Sequence, residues 1–342
     1  MTAFKAGIIG CGRHPGTPGA TGSGMGHHHA LGYQASPDVH LAALADINLE
    51  SARLFQDEHG GERLYADYRE MLVKEHLDIL SICTWPHLHA EMVMTAAEVG
   101  VKAIHCEKPM APTWNEAQRM HAACSEHNVQ LTFNHQRRFD NEFRQARQLL
   151  RSGAIGKLLR MEAFCNDMFD WGTHWFDMLL FYNDEHPVEW VIGQIDPRDG
   201  WTVFGIRLEG QGISHFKYQN GVTGLLLTGH SDPWEAYNRL IGEQGIIELN
   251  MTRKPPLRIW GKGMLDWQPV PTEPAVAVTL GILDLIDALK TGRQPELSGE
   301  RALRATEMIF ATYESSRQAR RIELPLQSQL IPVPTIHGEA PS

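Results

Sequence analysis

The sequence predicts an α/β protein with two domains, and three observations support this. The length of 342 residues is about twice that of an average domain. Over the first 135 residues, short apolar runs alternate with stretches of helical spacing, which is typical of a doubly wound parallel sheet with helices on both faces. After residue 135, strand-like runs follow one another through glycine-containing turns, which favours an α+β domain with an open, mostly antiparallel sheet.

In the N-terminal domain, each apolar run has the length of a strand and is followed by a glycine or a polar residue. These runs are 4–9, 41–45, 79–83, 101–106 and 130–133. Stretches with helical spacing separate them, at 27–35, 49–59, 67–75, 87–99 and 113–127. In such a sheet the ligand crevice lies beyond the carboxyl ends of the strands, so we expect the functional residues of this domain there.

The C-terminal half contains six strand-like runs, followed by two segments with helical spacing. The runs are 158–165, 188–195, 203–208, 213–218, 222–228 and 246–249, and the helical segments are 279–291 and 299–317. The last stretch holds four prolines and cannot form a regular helix. We therefore expect a first domain at 1–135, a second at 136–323 and a proline-rich C-terminal arm at 324–342.

Composition and charge exclude several classes of protein. The chain has 31 Lys and Arg against 41 Asp and Glu, a formal net charge of −10, and no basic run, so a nucleic-acid partner is not expected. The longest apolar runs, such as Val222–Leu227, are far shorter than a membrane helix. The N-terminal stretch lacks an export signal, and five widely spaced cysteines fit reduced thiols, so we expect a cytoplasmic protein.

Gly10-Cys11-Gly12 directly follows the first apolar run and has the character of a phosphate-binding turn. Glycine permits the tight turn and lets the backbone approach a pyrophosphate at a helix N-terminus. The glycine-rich stretch 13–24 then intervenes, and if it is an insertion, Gly26 takes the place of the third glycine; otherwise it is a plain surface loop. The residues of this segment that we expect to bind a dinucleotide cofactor are Gly10, Gly12, Arg13, Met25 and Gly26.

Asp46 follows the second apolar run. A carboxylate at this position accepts hydrogen bonds from both hydroxyls of a ribose and repels a 2′-phosphate, which favours NAD over NADP. An aspartate at a strand end can equally serve as a helix cap, and both interpretations stay open.

Three further segments follow in a specific order and spacing: Thr84-Trp85-Pro86 with His89, Glu107-Lys108-Pro109, and Asp170 with His174 four residues later. With them the chain resembles the Gfo/Idh/MocA oxidoreductases from about residue 4 to 320. The resemblance implies a Rossmann domain that binds NAD, with a lysine, an aspartate and a histidine around the nicotinamide and the reacting hydroxyl. The residues that take these roles here are Lys108, Asp170 and His174, and those implied in cofactor binding are Thr84, Trp85, Pro86, His89, Glu107 and Lys108.

The chemistry of these three side chains supports the same roles. A lysine ammonium at the end of a strand lowers the cost of an alkoxide as hydride leaves a carbinol carbon. A histidine with a pKa near neutrality can take the hydroxyl proton. Asp170, four residues away from His174, would lie on the same face of a helical turn and orient the ring.

Other residues have two interpretations each. Arg137, with Asn134 nearby, either lines the crevice or fixes the domain junction through salt bridges. Three tryptophans form either a flat wall for a sugar ring or part of the core: Trp171, Trp175 and Trp201. The residues that we expect to contact the substrate are Asn134, Arg137, Asn166, Asp167, Asp170 and His174.

His27-His28-His29 does not predict a metal site, and no metal is expected. Consecutive residues on a helix point in different directions, and no other Cys or His pair has zinc spacing. His29 instead matches a histidine that the family carries in its first helix. The segment 13–24 lies between the second and third glycines, and the usual three-glycine motif of dinucleotide-binding turns has no counterpart to it.

The first hypothesis for function is NAD-dependent hydride transfer from a secondary hydroxyl of a sugar, inositol or related polyol. The alternative is a glycoside hydrolase that oxidises, eliminates, adds water and reduces again, with NAD kept bound beneath the 13–24 segment. A ligand sensor on the same fold would not need the proton-transfer residues. Apolar runs in the second domain need cover, so we expect a homodimer or homotetramer through its sheet.

Overall fold

The computed structural model describes residues 3–229 and 236–327, and the chain divides into two units. The first unit comprises Met1–Ala111, Glu116–Gln136 and Val276–Leu303, and the second comprises Pro112–Asn115, Arg137–Ala275 and Arg304–Ser342. Most of the predicted arm, residues 328–342, lies outside the described residues. All five cysteines are free thiols. Within the described ranges, no helix is both long and apolar enough to cross a membrane.

The first unit contains the predicted parallel sheet. Its six strands are β1 Phe4–Ile9, β2 Val39–Ala45, β3 Arg63–Tyr65, β4 Ile79–Ile82, β5 Ala103–Cys106 and β6 Gln130–Phe133. All neighbours pair in parallel in the order β3-β2-β1-β4-β5-β6, which is the order of a dinucleotide-binding sheet. The sequence predicted every strand except β3, which has only three residues.

Nine α-helices occur in the described part of the chain. They are α1 Met25–Gln34, α2 Leu49–His59, α3 Tyr68–Glu75, α4 Pro86–Glu98, α5 Trp114–Glu126, α6 Asn141–Arg151, α7 Gly172–Tyr182, α8 Ala277–Thr291 and α9 Gly299–Gln318. Asn48 and Asp67 begin α2 and α3 as N-caps, because their side-chain oxygens accept hydrogen bonds from amides of the first turn.

Helix α8 belongs to the first unit, whereas the sequence analysis assigned 276–303 to the second domain. It packs against α1 so closely that a Cβ on Gly32 would lie 2.7 Å from the Cβ of Ile282. Ile282, Leu285 and Ile286 are buried in the same hydrophobic cluster as Ala6 and other residues of the sheet. Sequence order alone therefore misplaced a segment that returns to cover the first sheet.

The second unit is built on a nine-stranded mixed sheet. Its strands are β7 Leu158–Cys165, β8 Val188–Asp196, β11 Gln211–Tyr218, β12 Thr223–Gly229, β13 Tyr237–Gly242, β14 Gly245–Asn250, β15 Leu257–Gly261, β16 Gln268–Pro269 and β17 Ile322–Glu323; β9 Thr202–Val203 and β10 Ile206–Arg207 form a separate hairpin. Strands β7 and β12 pair in parallel and the other neighbours pair antiparallel, which confirms the mostly antiparallel sheet.

The single strand predicted at 203–208 is wrong. Phe204 and Gly205 have φ angles of 50° and 76°, so the chain reverses between β9 and β10. The apolar side chains in this run therefore belong to a tight turn and its short flanking strands.

Candidate functional site

The glycine turn after β1 has a backbone that favours glycine at two positions. Gly10 and Gly12 have φ angles of 86° and 60°. A Cβ on Gly10 would lie 2.8 Å from the carbonyl oxygen of Cys83, whereas a Cβ on Gly12 would meet no atom within 4 Å. The turn is thus packed tightly against the end of β4 at Gly10 and leaves open space at Gly12 for a ligand.

Helix α1 begins close to this turn. A Cβ on Gly26 would lie 2.8 Å from the carbonyl oxygen of Gly10, so only glycine allows this approach. The N-cap of α1 is Gly24, which has no side chain to occupy the position of an anion at the helix start. Gly26 therefore stands where a third glycine lets a helix pack against its strand, and Met25 is the first residue of the helix.

Asp46 holds the glycine turn. Its Oδ2 accepts hydrogen bonds from the amides of Cys11, at 3.0 Å, and Gly12, at 3.2 Å, and its Oδ1 accepts one from the amide of Asn48, at 2.8 Å. The sequence suggested that Asp46 binds a ribose or caps a helix, and it did not predict these hydrogen bonds between the end of β2 and the turn. A carboxylate has about four acceptor positions, so one remains for a ribose hydroxyl.

The segment 13–24 is fixed by several hydrogen bonds. The guanidinium of Arg13 donates to the carbonyl oxygen of Pro18 at 2.8 Å and to Oγ of Ser51 at 3.2 Å. The indole N–H of Trp85 donates to the carbonyl oxygen of Thr21 at 3.3 Å. Arg13, predicted to meet phosphate, therefore lies within its own loop and against α2, and Trp85 holds the far side of the loop.

Glu107 is buried and anchors the residue after it. Its Oε1 accepts from Nε2 of His29 at 2.9 Å and from Nδ2 of Asn134 at 2.7 Å, while its Oε2 lies 3.3 Å from the amide of Lys108. Burial would raise the pKa of Glu107, but these hydrogen bonds and the nearby charges lower it to about 2. Glu107 was predicted to bind the cofactor and Asn134 to contact the substrate. In the structure both belong to this buried hydrogen-bond network.

His89 connects the two motif loops at 84–86 and 107–109. Its Nε2 lies 3.0 Å from the carbonyl oxygen of Thr84, and its Nδ1 lies 3.0 Å from that of Pro109. The ring is fully buried, and this burial lowers the pKa of His89. His89 therefore links the loop after β4 to the loop after β5.

In the second unit, Asp170 and His174 lie on the turn that leads from β7 into α7. His174 is in the first turn of α7, but Asp170 precedes the helix by two residues, so the prediction that both lie on one helical face is wrong in detail. Both side chains are mostly buried, at 8% and 5% exposure. Asn166 is half-buried at the start of the same turn.

Asp167 supports this turn from within. Its Oδ1 accepts from the amides of Asp170, at 2.5 Å, and Trp171, at 3.2 Å, and its side chain has no exposed surface. Burial, with the charges of Asp170 and Glu209, raises the pKa of Asp167 well above its usual range. In this structure the carboxyl group of Asp167 supports the turn, whereas the sequence predicted that it would contact the substrate.

Glu209 is a buried acid that the sequence analysis missed. It accepts from the amide of Met168 at 2.5 Å and from the hydroxyls of Tyr313 and Thr228 at 3.3 and 3.4 Å. Burial raises the pKa of Glu209. No motif marks this residue, because its role comes from its contact with Met168 in the Asp167 turn, a segment distant in sequence from the connection between β10 and β11.

Arg137 lies among aromatic rings, and Arg138 makes the buried ion pair. The guanidinium carbon of Arg137 is 4.6 Å from the ring centre of Trp175 and 5.8 Å from that of Trp171. Arg138 pairs with Asp177 at 2.8 Å, with both side chains almost fully buried. The salt bridge that was one of the two interpretations of Arg137 is thus made by its neighbour Arg138, within the second unit. Trp175, with no exposed surface, is a core residue.

The comparisons with known proteins agree with this architecture. Residues 4–135 match the model of the Gfo/Idh/MocA family, described as an oxidoreductase family with an NAD-binding Rossmann fold. The D-apiose dehydrogenase of Paraburkholderia graminis is 26% identical over 364 aligned positions, which cover 94% of this chain and 90% of that protein. The myo-inositol 2-dehydrogenase of Thermotoga maritima is 28% identical over 154 positions, which cover 45% and 42%.

A solved structure extends the likeness to the fold of the whole chain. The structure of a levoglucosan dehydrogenase in complex with NADH and L-sorbose has a TM-score of 0.77 at 20% identity and covers 95% of this chain and all of that one, at 100%. These relatives are named as dehydrogenases, which gives the glycoside-hydrolase alternative no support. The resemblance inferred from the motifs is thus confirmed over residues 4–135, which match the Gfo/Idh/MocA model of oxidoreductases with an NAD-binding Rossmann fold.

Proposed function

We propose that this protein is an NAD-dependent dehydrogenase that oxidises a secondary hydroxyl of a sugar, inositol or related polyol to a ketone. The observation that carries the proposal is the position of Lys108 at the carboxyl edge of the first sheet. It directly follows β5 and the buried Glu107, on the edge where the glycine turn follows β1. Ligands of doubly wound sheets bind beyond this edge.

The first unit offers a cradle that fits a dinucleotide. Gly12 has open space beside it, and Gly26 brings the start of α1 up to the turn, where backbone amides and the helix dipole favour a pyrophosphate. Asp46 would hold the adenosine ribose and disfavour a 2′-phosphate. NAD bound here supplies the acceptor for the hydride that leaves the carbinol carbon.

Lys108 would stabilise negative charge on the substrate oxygen. A cation beside that oxygen makes the alkoxide less costly as the carbon–hydrogen bond breaks. The carboxylate of Glu107 accepts a hydrogen bond from the backbone amide of Lys108, which fixes the backbone of the lysine. The long side chain of Lys108 can still extend towards a ligand.

His174 would take the hydroxyl proton, with Asp170 steadying the charged imidazole. The turn that carries them is rigid, because Oδ1 of Asp167 accepts from the amide of Asp170 and the amide of His174 donates to the carbonyl oxygen of Trp171 at 3.0 Å. Burial raises the pKa of Asp167 and favours its neutral form, which fits a supporting role for this carboxyl group.

A panel of sugars, inositols and aryl glycosides with NAD tests the reaction. NADH formation and aglycone release are followed in the same sample. A dehydrogenase accumulates one NADH for each ketone formed and releases no aglycone. Release of aglycone without net NADH would overturn the proposal in favour of redox-neutral hydrolysis.

We also propose that the protein forms a homodimer or homotetramer through its second sheet. One face of this sheet carries partly exposed apolar side chains, including Ile192, Ile213 and Trp260, at 44%, 37% and 39% exposure. Light scattering at micromolar concentration should show a multiple of 38.5 kDa, and Ile213→Glu should shift it towards the monomer. Leu54→Glu, on the exposed side of α2, is the matched control, and a monomeric wild type would contradict the proposal.

We further propose that the protein is cytoplasmic. Its five cysteines are free thiols, which is usual in a reducing compartment. Cys11, Cys106 and Cys165 are fully buried. Burial raises the pKa of each of these thiols, so they would stay protonated and unreactive.

A further inference from the structure

Three histidines and one glutamate from three separate segments converge in the first unit. His14 lies in the 13–24 segment, His27 is in the first turn of α1, and Glu58 and His59 end α2. The ligand-type atoms of His14, His27 and Glu58 all lie within 4.8 Å of one another. This cluster has no part in the function proposed above.

The distances within the cluster are short and mutual. Nδ1 of His27 lies 2.7 Å from Nε2 of His59 and 3.6 Å from Oε2 of Glu58. Nε2 of His14 lies 2.8 Å from Oε2 of Glu58, and Nε2 of His59 lies 3.4 Å from its Oε1. The carboxylate therefore faces one nitrogen of each of the three rings.

These separations are close to those of a tetrahedral metal site. Zinc binds imidazole nitrogen and carboxylate oxygen at about 2.0–2.2 Å, and a tetrahedron of that size sets neighbouring ligand atoms roughly 3.3–3.6 Å apart. His14 and His27 lie 2.8 and 3.6 Å from Oε2 of Glu58, and the ligand-type atoms of these three residues all lie within 4.8 Å of one another. Small shifts of these side chains would admit the ion.

The rings are also oriented for ligation. His14 and His27 stack, with ring centres 3.8 Å apart and planes 26° from parallel, so both present a nitrogen to the same carboxylate.

We propose that His14, His27 and Glu58 form a site for one divalent transition-metal ion of the zinc class, with the neighbouring His59 or a water as the fourth ligand. Imidazole and carboxylate ligands together suit zinc, cobalt or nickel better than magnesium or calcium, which prefer oxygen ligands. The ion enters from the side of His14 and Glu58, whose side chains are 51% and 46% exposed. It links the 13–24 segment to α1 and α2, beside the glycine turn.

This site corrects the reason for which the sequence analysis expected no metal. His27, His28 and His29 do point in different directions, since His28 is exposed and His29 bonds to Ser81 and Glu107. Only His27 takes part, and its partners come from elsewhere in the chain. Without an ion, the same contacts would be a hydrogen bond between two neutral imidazoles and a separate His14–Glu58 pair.

Metal binding by the full-length chain, purified without a polyhistidine tag and stripped with a chelator, tests the proposal. Calorimetric titration with Zn²⁺ should give one equivalent per chain, and Co²⁺ should give the visible absorption bands of a four-coordinate ion. Zn²⁺ should also raise the unfolding temperature, because an ion bound only by the folded state stabilises it. None of these measurements depends on turnover.

The variants separate the cluster from other histidines. His14→Ala removes an exposed ligand without disturbing the core and should weaken Zn²⁺ binding by more than about 100-fold, because the loss of a supporting partner alone costs about 10–100-fold. His27→Ala should abolish the cobalt bands. His40→Ala is the matched control, because His40 also faces a glutamate, Glu62, at 3.4 Å on the surface.

Wild-type binding weaker than millimolar would overturn the proposal, as would equal losses in His14→Ala and His40→Ala. If His27→Ala does not fold, His14→Ala and Glu58→Gln decide the outcome, since retention of full binding by both would exclude the site.

Discussion

His29 donates from Nε2 to Oε1 of Glu107 across 2.9 Å in the interior of the first unit. Its other nitrogen, Nδ1, lies 3.0 Å from Oγ of Ser81, which in turn lies 2.7 Å from the hydroxyl of Tyr33. Since the carboxylate of Glu107 can only accept, Nε2 of His29 is the donor to it, and Ser81 connects the other side of the ring to Tyr33. A buried charge is thereby held directly behind Lys108.

Glu107→Gln should make the protein less stable at neutral pH and less sensitive to acid. The folded pKa of Glu107, about 2, is below its ordinary value of 4.5, so its contribution to stability is present above pH 4.5 and is lost as pH falls towards 2. That shift is worth about 3 kcal/mol. Urea unfolding from about pH 6 to about pH 3 should show the gap between wild type and variant closing.

The control for this prediction is Asp57→Asn, an exposed carboxylate on α2. It should leave the pH dependence of the free energy of unfolding unchanged. A constant gap between wild type and Glu107→Gln over the whole range would show that the carboxylate carries no such contribution.

Lys108→Ala should lower kcat by at least about 100-fold, because the charge that develops on the substrate oxygen loses its cation. The dissociation constant of NAD, measured separately, should change little. Lys102→Ala is the matched control: Lys102 directly precedes β5, is 60% exposed and pairs with Asp78 at 2.7 Å. Turnover of Lys108→Ala within about tenfold of the wild type would remove the lysine from the reaction.

The sequence predicted the first unit well because its signals are local. Apolar runs of strand length that end in glycine or a polar residue gave five of its six strands. Only β3, Arg63–Tyr65, escaped, because three residues are too few to show a period. The motif residues after β1, β4 and β5 follow directly from that register.

Two helices of the second unit were missed. Every residue of α7 is buried, so the segment has no polar face to reveal a helical period. Helix α6 does carry an amphipathic pattern, with Phe143 and Ala146 buried at helical spacing among charged and polar residues, so its signal was present and overlooked. The placement of α8 in the first unit and the meeting of His14, His27 and Glu58 depend on contacts between distant segments, which no local pattern contains.

Asp46→Asn should shift the preference of the enzyme from NAD towards NADP. The substitution removes the charge that repels a 2′-phosphate, and it also weakens the bridge to the amides of Cys11 and Gly12. We expect the ratio of kcat/KM for NAD to that for NADP to fall by roughly tenfold or more. Asp38→Asn, just before β2 at the opposite end of the strand, should leave the ratio unchanged; an unaltered ratio in Asp46→Asn would assign Asp46 to the turn alone.

Gly26→Ala should destabilise the first unit and weaken NAD binding together. The new Cβ would lie 2.8 Å from the carbonyl oxygen of Gly10 and 3.3 Å from the ring of Phe55, so the start of α1 must move away from the glycine turn. Such overpacking costs about 1–3 kcal/mol, which thermal unfolding detects as a drop of several degrees. Gly22→Ala, in the neighbouring loop, is the matched control, because its Cβ would meet nothing closer than 3.9 Å, at Trp85. If both variants bind NAD and unfold like the wild type, α1 does not need to lie this close to the turn, and Gly26 loses the role of the third glycine.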